Sequence, residues 1–384
     1  MAAVSGECAK RFERVREAFA ANFDTGEVGA ALAVSVDGEL VVDLWGGHRD
    51  RARTQPWNRD TIVNVYSTTK GMTAICANRL AEKGALDLDA PVAAYWPEFA
   101  QAGKGQIPVR WLLCHKAGLA AIRKPLPAGA MLDWKFMIEA LAAETPWWEP
   151  GAQHGYHALT YGFLVGEVVR RIDGRTLGAY FRDELAAPLG LDFHIGFGPE
   201  LDGRVAEMLP APPTPPGVPN PFQAAAQNPE SLVGKVFNNP AIGAGGVNTR
   251  GWRAAELPAA NGHGTARGLA RIYGALARDG VLDGRPVLSP AQIAKANTEQ
   301  AYGQDAVLSP MPTRFGLGFF MTQPLIPFGP NPRAFGHPGA GGSIAFADPD
   351  ARVGFAYVMN QMQMGLAGDA RGFKLIAEVY EALK

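Results

Sequence analysis

The sequence predicts a mixed α/β (α+β) protein in which both ends of the chain build one sheet around a helical middle. Three observations lead there. β-rich runs at Gly29–Val36 and Glu39–Trp45 are joined by Asp37-Gly38, a dipeptide suited to the two positive φ values of a type I′ hairpin. Two more such runs, Ser343–Ala347 and Arg352–Met359, lie near the other end and are linked by Asp348-Pro349-Asp350. Between roughly residues 90 and 310 the chain turns helical and loop-rich.

The elements follow in order. AKRFERVREAFAANF (9–23) reads as a charged amphipathic helix. Thr61–Val65 is a short strand leading into Ser67, and STTKGMTAICANRLAEKGAL (67–86) is helical. In that segment Met72, Ile75, Cys76 and Leu80 form an apolar stripe, and Gly84 stops the helix. Thr160–Ile172 and Thr265–Ala277 carry the same periodicity, the second with Thr265 as N-cap. LPAPPTPPGVPNPF (209–222) is too rich in proline for helix or central strand, so an extended surface excursion is expected, a flap or a plain connection. A last helix spans Arg371–Leu383, and no internal repeat is visible.

Bulk properties bound the function. A chain of 384 residues exceeds one typical domain, which points to two lobes or one large domain with an insertion. Hydrophobic residues at 47% and charged residues at 19% are ordinary for a soluble globular protein. With 36 basic and 37 acidic side chains and no long basic run, neither nucleic acid nor an anionic membrane is an expected partner. No apolar run reaches the ~18 residues that span a bilayer, and the N-terminus has no secretory h-region. The three cysteines, Cys8, Cys76 and Cys114, are odd in number and far apart, against a disulfide scaffold. A cytoplasmic location is the expectation.

Chemistry begins at Ser67-Thr68-Thr69-Lys70. A serine hydroxyl needs a base to become nucleophilic, and residues three apart on a helix share a face. Lys70 would therefore hang beside Ser67, at a helix N-terminus whose N–H groups favour developing negative charge. Alone, the pair could equally be a capping serine and a solvated lysine. Tyr156 follows the break at Trp148-Glu149-Pro150-Gly151, and its phenol could shuttle a proton if it is not simply a packed loop tyrosine. Tyr and Lys ionise near 10 and 10.4, so burial and proximity must lower one of them. Phe335–Ser343 holds four glycines, Gly336, Gly339, Gly341 and Gly342. An N–H from such an edge strand, with that of Ser67, could form an oxyanion hole; a tight turn is the plainer reading.

These motifs stand in a familiar order. The chain resembles the serine β-lactamase/penicillin-binding-protein superfamily, and within it the class C-like family VIII carboxylesterases. Ser67–Lys70 matches S-x-x-K, Tyr156 the tyrosine motif, and His337-Pro338-Gly339 the strand lysine-threonine-glycine motif. GALDLDAPVAAYWPEF (84–99), LLCHKAGL (112–119) and FGHPGAGGSIAFADP (335–349) extend the likeness over most of residues 20–384. The resemblance implies a β-lactamase/transpeptidase-like fold. Residues 1–90 and 310–384 would form an antiparallel sheet flanked by helices, residues 91–309 a mostly helical insertion, with the site between them. It implies Ser67 as the acylated nucleophile, Lys70 as general base and Tyr156 as general acid/base. The N–H groups of Ser67 and Ala340 would form the oxyanion hole, with no metal or cofactor. His337 and Gly339 would meet substrate, and Trp148 would wall an acyl pocket unless it packs a core corner.

Two departures matter. Ala158 replaces the asparagine of Tyr-x-Asn and cannot hydrogen-bond a lactam side chain. His337 replaces the strand lysine and is largely neutral at pH 7. Both favour neutral esters over anionic β-lactams. The remaining histidines carry less. His154 and His157 lack a third ligand of convincing spacing, and His115 and His263 read as structural. No G-x-S-x-G elbow occurs, against an α/β-hydrolase. The expectation is a carboxylesterase for short-chain neutral, small-molecule esters. A β-lactamase or D-Ala-D-Ala peptidase, an acyltransferase sharing the acyl-enzyme, and a catalytically silent scaffold are the alternatives.

Overall fold

The computed structural model describes residues 3–213, 221–241 and 246–384. Nine antiparallel strands form the main sheet: β1 (Val4–Cys8), β2 (Gly29–Val36), β3 (Glu39–Gly47), β4 (Ala301–Gln304), β5 (Pro312–Phe315), β6 (Phe320–Met321), β7 (Phe335–Pro338), β8 (Ile344–Asp348) and β9 (Val353–Met359). Their order is β1-β3-β2-β9-β8-β7-β6-β5-β4. The expected antiparallel sheet flanked by helices is present, and β2 pairs with β9 from Ala30↔Met359 to Val36↔Val353, joining the two ends of the chain. Asp37 and Gly38 turn the β2–β3 hairpin with φ of 53° and 88°, as a type I′ turn requires.

Strand β9, VGFAYVM, is buried along its whole length, because helices cover both of its faces. Gly354 points to one face and meets the backbone of Ala270 and Gly274 in the helix Ala266–Leu276, so closely that it has no room for a side chain. Thr265 caps that helix by accepting the N–H of Gly268. Tyr357 points to the other face, where Gly372 of the C-terminal helix Ala370–Leu383 lies against it. That helix packs in turn on the N-terminal helix Glu13–Asn22.

Three details differ from expectation. Strand β1 precedes the first helix and pairs with β3; its alternating burial gives it one inward face. The sheet also draws on residues assigned to the insertion. Strand β4 extends it, and the helix Ala266–Leu276 packs on β2, β8 and β9, so the boundary near residue 310 cuts through the sandwich. Finally, β7 is interior to the sheet and not an edge strand. Its neighbour β6 pairs only with Phe335 and Gly336, so β7 runs past it and His337 and Pro338 are free of the ladder on that side. The proline-dense segment lies outside the described residues at 214–220. At its start, Leu209 bonds backbone to backbone with Asn360 and Met362, just beyond β9.

Gly354→Val should force β9 and the helix Ala266–Leu276 apart and destabilise the fold by about 1–3 kcal/mol, as overpacking does. Calorimetry should show a lower Tm; an unchanged Tm would rule out the close approach at Gly354.

Candidate active site

Ser67 lies in a 3-10 turn, Tyr66–Thr68, that runs directly into the helix Thr69–Glu82. Tyr66 has φ of 44°, a conformation that bulky residues adopt only when neighbours enforce it. The neighbours are visible. Thr69 Oγ1 donates to Tyr66 O at 2.5 Å and accepts the Gly262 N–H at 2.9 Å, while the Val65 N–H donates to Gly262 O at 2.9 Å. The turn presents Ser67 half-exposed above a fully buried Lys70.

Lys70 Nζ is 3.1 Å from Ser67 Oγ, 2.7 Å from Ala158 O and 3.0 Å from Ala259 O. Burial holds its pKa well below the ordinary lysine range. A neutral amine has two N–H groups and one lone pair. In that form, which burial favours, the two carbonyls would take the N–H groups and the lone pair would be left for the Ser67 hydroxyl. Tyr156 is buried and its phenol interacts with Ser67; its ring centroid lies 4.8 Å from Lys70 Nζ. Burial pushes its phenol above the ordinary tyrosine range, outweighing the interaction with Ser67, so burial favours the neutral amine and the protonated phenol over the charged pair.

The glycine run reaches this turn from β7. Gly339 has no side chain because Val65 O, Thr68 Oγ1 and Ser343 Oγ occupy the space one would need. Ser343 Oγ donates to Val65 O at 2.8 Å and lies 3.3 Å from Thr68 Oγ1. Ala340, half-exposed, follows Gly339 directly. Ser67, Lys70, Tyr156, Gly339 and Ala340 are thus brought to one place. His337 lies beside them, its ring 6.1 Å from Tyr156 and 4.9 Å from Phe320. Burial drives its pKa far down; Nδ1 bonds Pro338 O at 2.7 Å, and Nε2 is buried without a partner among the described residues. Trp148 packs edge-on to His157 and over Gly155, backing the Tyr156 loop.

The other histidines have local partners. His157 donates Nδ1–H to Gly155 O and accepts the Leu119 N–H; His263 bonds Asn261 O; His154 meets Thr313. Ser343 and Thr69 had no role in the sequence reading. Both stand inside the quoted motifs, but they act on backbone atoms, which leave no mark in a motif.

The beta-lactamase family model matches residues 12–378. The chain belongs to the beta-lactamase family. A solved family VIII carboxylesterase is 43% identical, with a TM-score of 0.91 over 99% of this chain and 100% of that one. A penicillin-binding protein homologue from Caulobacter crescentus is 42% identical, also at 0.91, over 99% and 100%. The esterase/beta-lactamase LipL of Mycobacterium tuberculosis is 38% identical over 373 residues, 94% of this chain and 83% of LipL. The resemblance carried by the motifs therefore holds along the chain.

Ser343→Ala removes the bond that ties the glycine run to the nucleophile's turn. A hydrogen bond of about 1 kcal/mol corresponds to a roughly fivefold rate change. Fluorophosphonate labelling of the variant should slow by about that factor with little change in Tm; an unchanged rate would remove Ser343 from the site.

Proposed function

We propose that this enzyme hydrolyses short-chain neutral carboxylic esters through an acyl-Ser67 intermediate. Its relatives include carboxylesterases, and the chain is a serine hydrolase acting on carboxylic esters. The observation that carries the mechanism is the buried Lys70, whose Nζ lies within hydrogen-bond distance of Ser67 Oγ and of two carbonyls, so that a neutral amine would keep its lone pair for Ser67.

Ser67 Oγ attacks the ester carbonyl as its proton passes to Lys70 Nζ. The oxyanion is met by the N–H groups of Ser67 and Ala340. On collapse the C–O bond to the alcohol breaks, and Tyr156 gives its proton to the departing oxygen while Lys70 restores it. Water then attacks the acyl-enzyme with the same groups in reverse, releasing the acid and free Ser67. Lys70 is the better first base, since burial favours a neutral amine and disfavours a phenolate.

Preference for neutral substrates rests on His337 and Ala158. A buried neutral imidazole offers no cation to a substrate carboxylate, and Ala158 contributes only a methyl and a carbonyl already bonded to Lys70. LipL's name includes β-lactamase, so nitrocefin is the relevant competitor. Its turnover should be far below that of p-nitrophenyl butyrate; comparable turnover would favour the β-lactamase reading.

Intact-mass measurement after a fluorophosphonate should show one adduct on Ser67, and Ser67→Ala should lose both adduct and at least ~10³-fold of butyrate hydrolysis. Retained hydrolysis in that variant would end the proposal. Across p-nitrophenyl esters from acetate to laurate, kcat/KM should be highest at the short end.

Activity should need neutral Lys70 and protonated Tyr156, so kcat/KM should rise with pH through the lowered lysine pKa and fall again only where the Tyr156 phenol loses its proton. Because burial lowers that pKa, the rise should fall well below the ordinary lysine range. Lys70→Arg, which cannot lose its proton, should cost about 10²–10⁴-fold. A rise in the ordinary lysine range would exclude Lys70 as the base.

A further inference from the structure

We infer that Asp305 is a positioning residue for Tyr156, fixing the backbone of the proton donor. The inference rests on the role proposed for Tyr156.

Asp305 follows β4 and is completely buried. Oδ1 accepts three backbone N–H bonds, from Tyr156 at 2.9 Å, Val307 at 2.8 Å and Leu308 at 2.9 Å. Oδ2 accepts the Thr313 hydroxyl at 2.8 Å. With its proton given to Asp305, Thr313 Oγ1 receives Nε2–H of His154 at 2.9 Å. The Ala306 N–H donates to His154 O at 3.1 Å, and the Gly155 N–H to His115 O at 3.1 Å. The three residues His154, Gly155 and Tyr156 are therefore fastened one after another, and two of the three fastenings run to the Asp305 segment. A loop would otherwise leave Tyr156 free to drift, and misplacement of a catalytic group by about 1 Å costs on the order of 10²-fold.

The second effect is electrostatic. Lys70 faces Tyr156 from the nucleophile's helix, His115 from its loop, His337 from β7 and Tyr161 from the helix Thr160–Asp173. Burial pushes each of these towards its neutral form. His154, 4.0 Å from Asp305 Oδ2, is pushed the same way by burial, so it does not offset the carboxylate. Asp305 is thus the acidic group whose field reaches the phenol, and it opposes phenolate formation. A general acid must be protonated to act, so this field serves the step assigned to Tyr156.

Asp305→Asn keeps the shape and removes the charge. Steady-state kinetics on p-nitrophenyl butyrate should show kcat down about 10–100-fold with KM within about twofold, and the alkaline limb of kcat/KM moved to lower pH. Wild-type kcat and pH profile would overturn the inference. So would a fall in kcat with the alkaline limb unmoved, which is what a purely structural residue would give. If Asp305→Asn does not fold, Thr313→Val decides: it removes one of the four bonds and should lower kcat several-fold at unchanged KM, and wild-type kcat there overturns the inference. Tyr156→Phe is the control for the underlying role. If that variant keeps full activity, the reading of Tyr156 fails; if it is inactive while Asp305→Asn behaves as wild type, the inference about Asp305 alone fails.

Discussion

Everything at the site depends on burying one amine without a carboxylate to balance it. Lys104 makes the contrast clear. It too is fully buried, and its Nζ donates to three carbonyls, those of Gln101, Ala142 and Glu144. Three carbonyls demand three N–H groups, so that site is built for an ammonium, and its pKa falls only to about 8 with Glu144 helping to hold it up. Lys70 has two carbonyls and a hydroxyl. The exchange of one acceptor for Ser67 turns a structural lysine into one whose lone pair has a use. The two carbonyls belong to Ala158 and Ala259, about a hundred residues apart, so the amine also fixes the insertion against the nucleophile's helix.

The rest of the fold holds these parts in place. Pairing of β2 with β9 brings the chain ends into one sheet, and covered faces on both sides leave β9 no freedom to shift. From that sheet β7 overshoots its short neighbour β6 and delivers the glycine run to the turn that carries Ser67. Contact there is between backbones, which is why Gly339 has no side chain and Ser343 bonds a carbonyl. Tyr156 is on a loop with no regular structure of its own, and its precision comes from buried polar partners.

What could be read from the sequence follows from this. Ser67 and Lys70 are legible because their spacing is local, and Asp37-Gly38 because a turn of that type demands it. The terminal strands were legible as apolar runs, and Thr265 as a cap. Strands of two to five residues such as β1, β5 and β6 carry too little periodicity to stand out, and β4 lies in a region that reads as helical. The position of β7 inside the sheet depends on pairing with those short strands, so it was misjudged as an edge. Asp305 and Ser343 are silent for another reason. Each bonds backbone atoms of a distant segment, and a backbone partner constrains no side chain at the other end. His154 and His157, set aside as metal ligands for want of a third, turn to different partners.

The neutral environment also explains how such a site can work without a resident charge beside the nucleophile. His115, His157 and His337 are all driven towards neutrality by burial, as are Lys70 and the phenol of Tyr156. In the resting state there is little for a charged substrate to pair with, and a carboxylate entering would lose water without gaining a cation. Attack by Ser67 changes that balance. In the proposed mechanism, transfer of its proton creates an ammonium on Lys70 as the oxyanion forms, two opposite charges arising together in a poorly screened space. Their attraction exists only once the reaction has begun, so it lowers the transition state and leaves the bound ester unaffected. A lysine kept permanently charged would bind anions well and would have no lone pair to accept the serine proton.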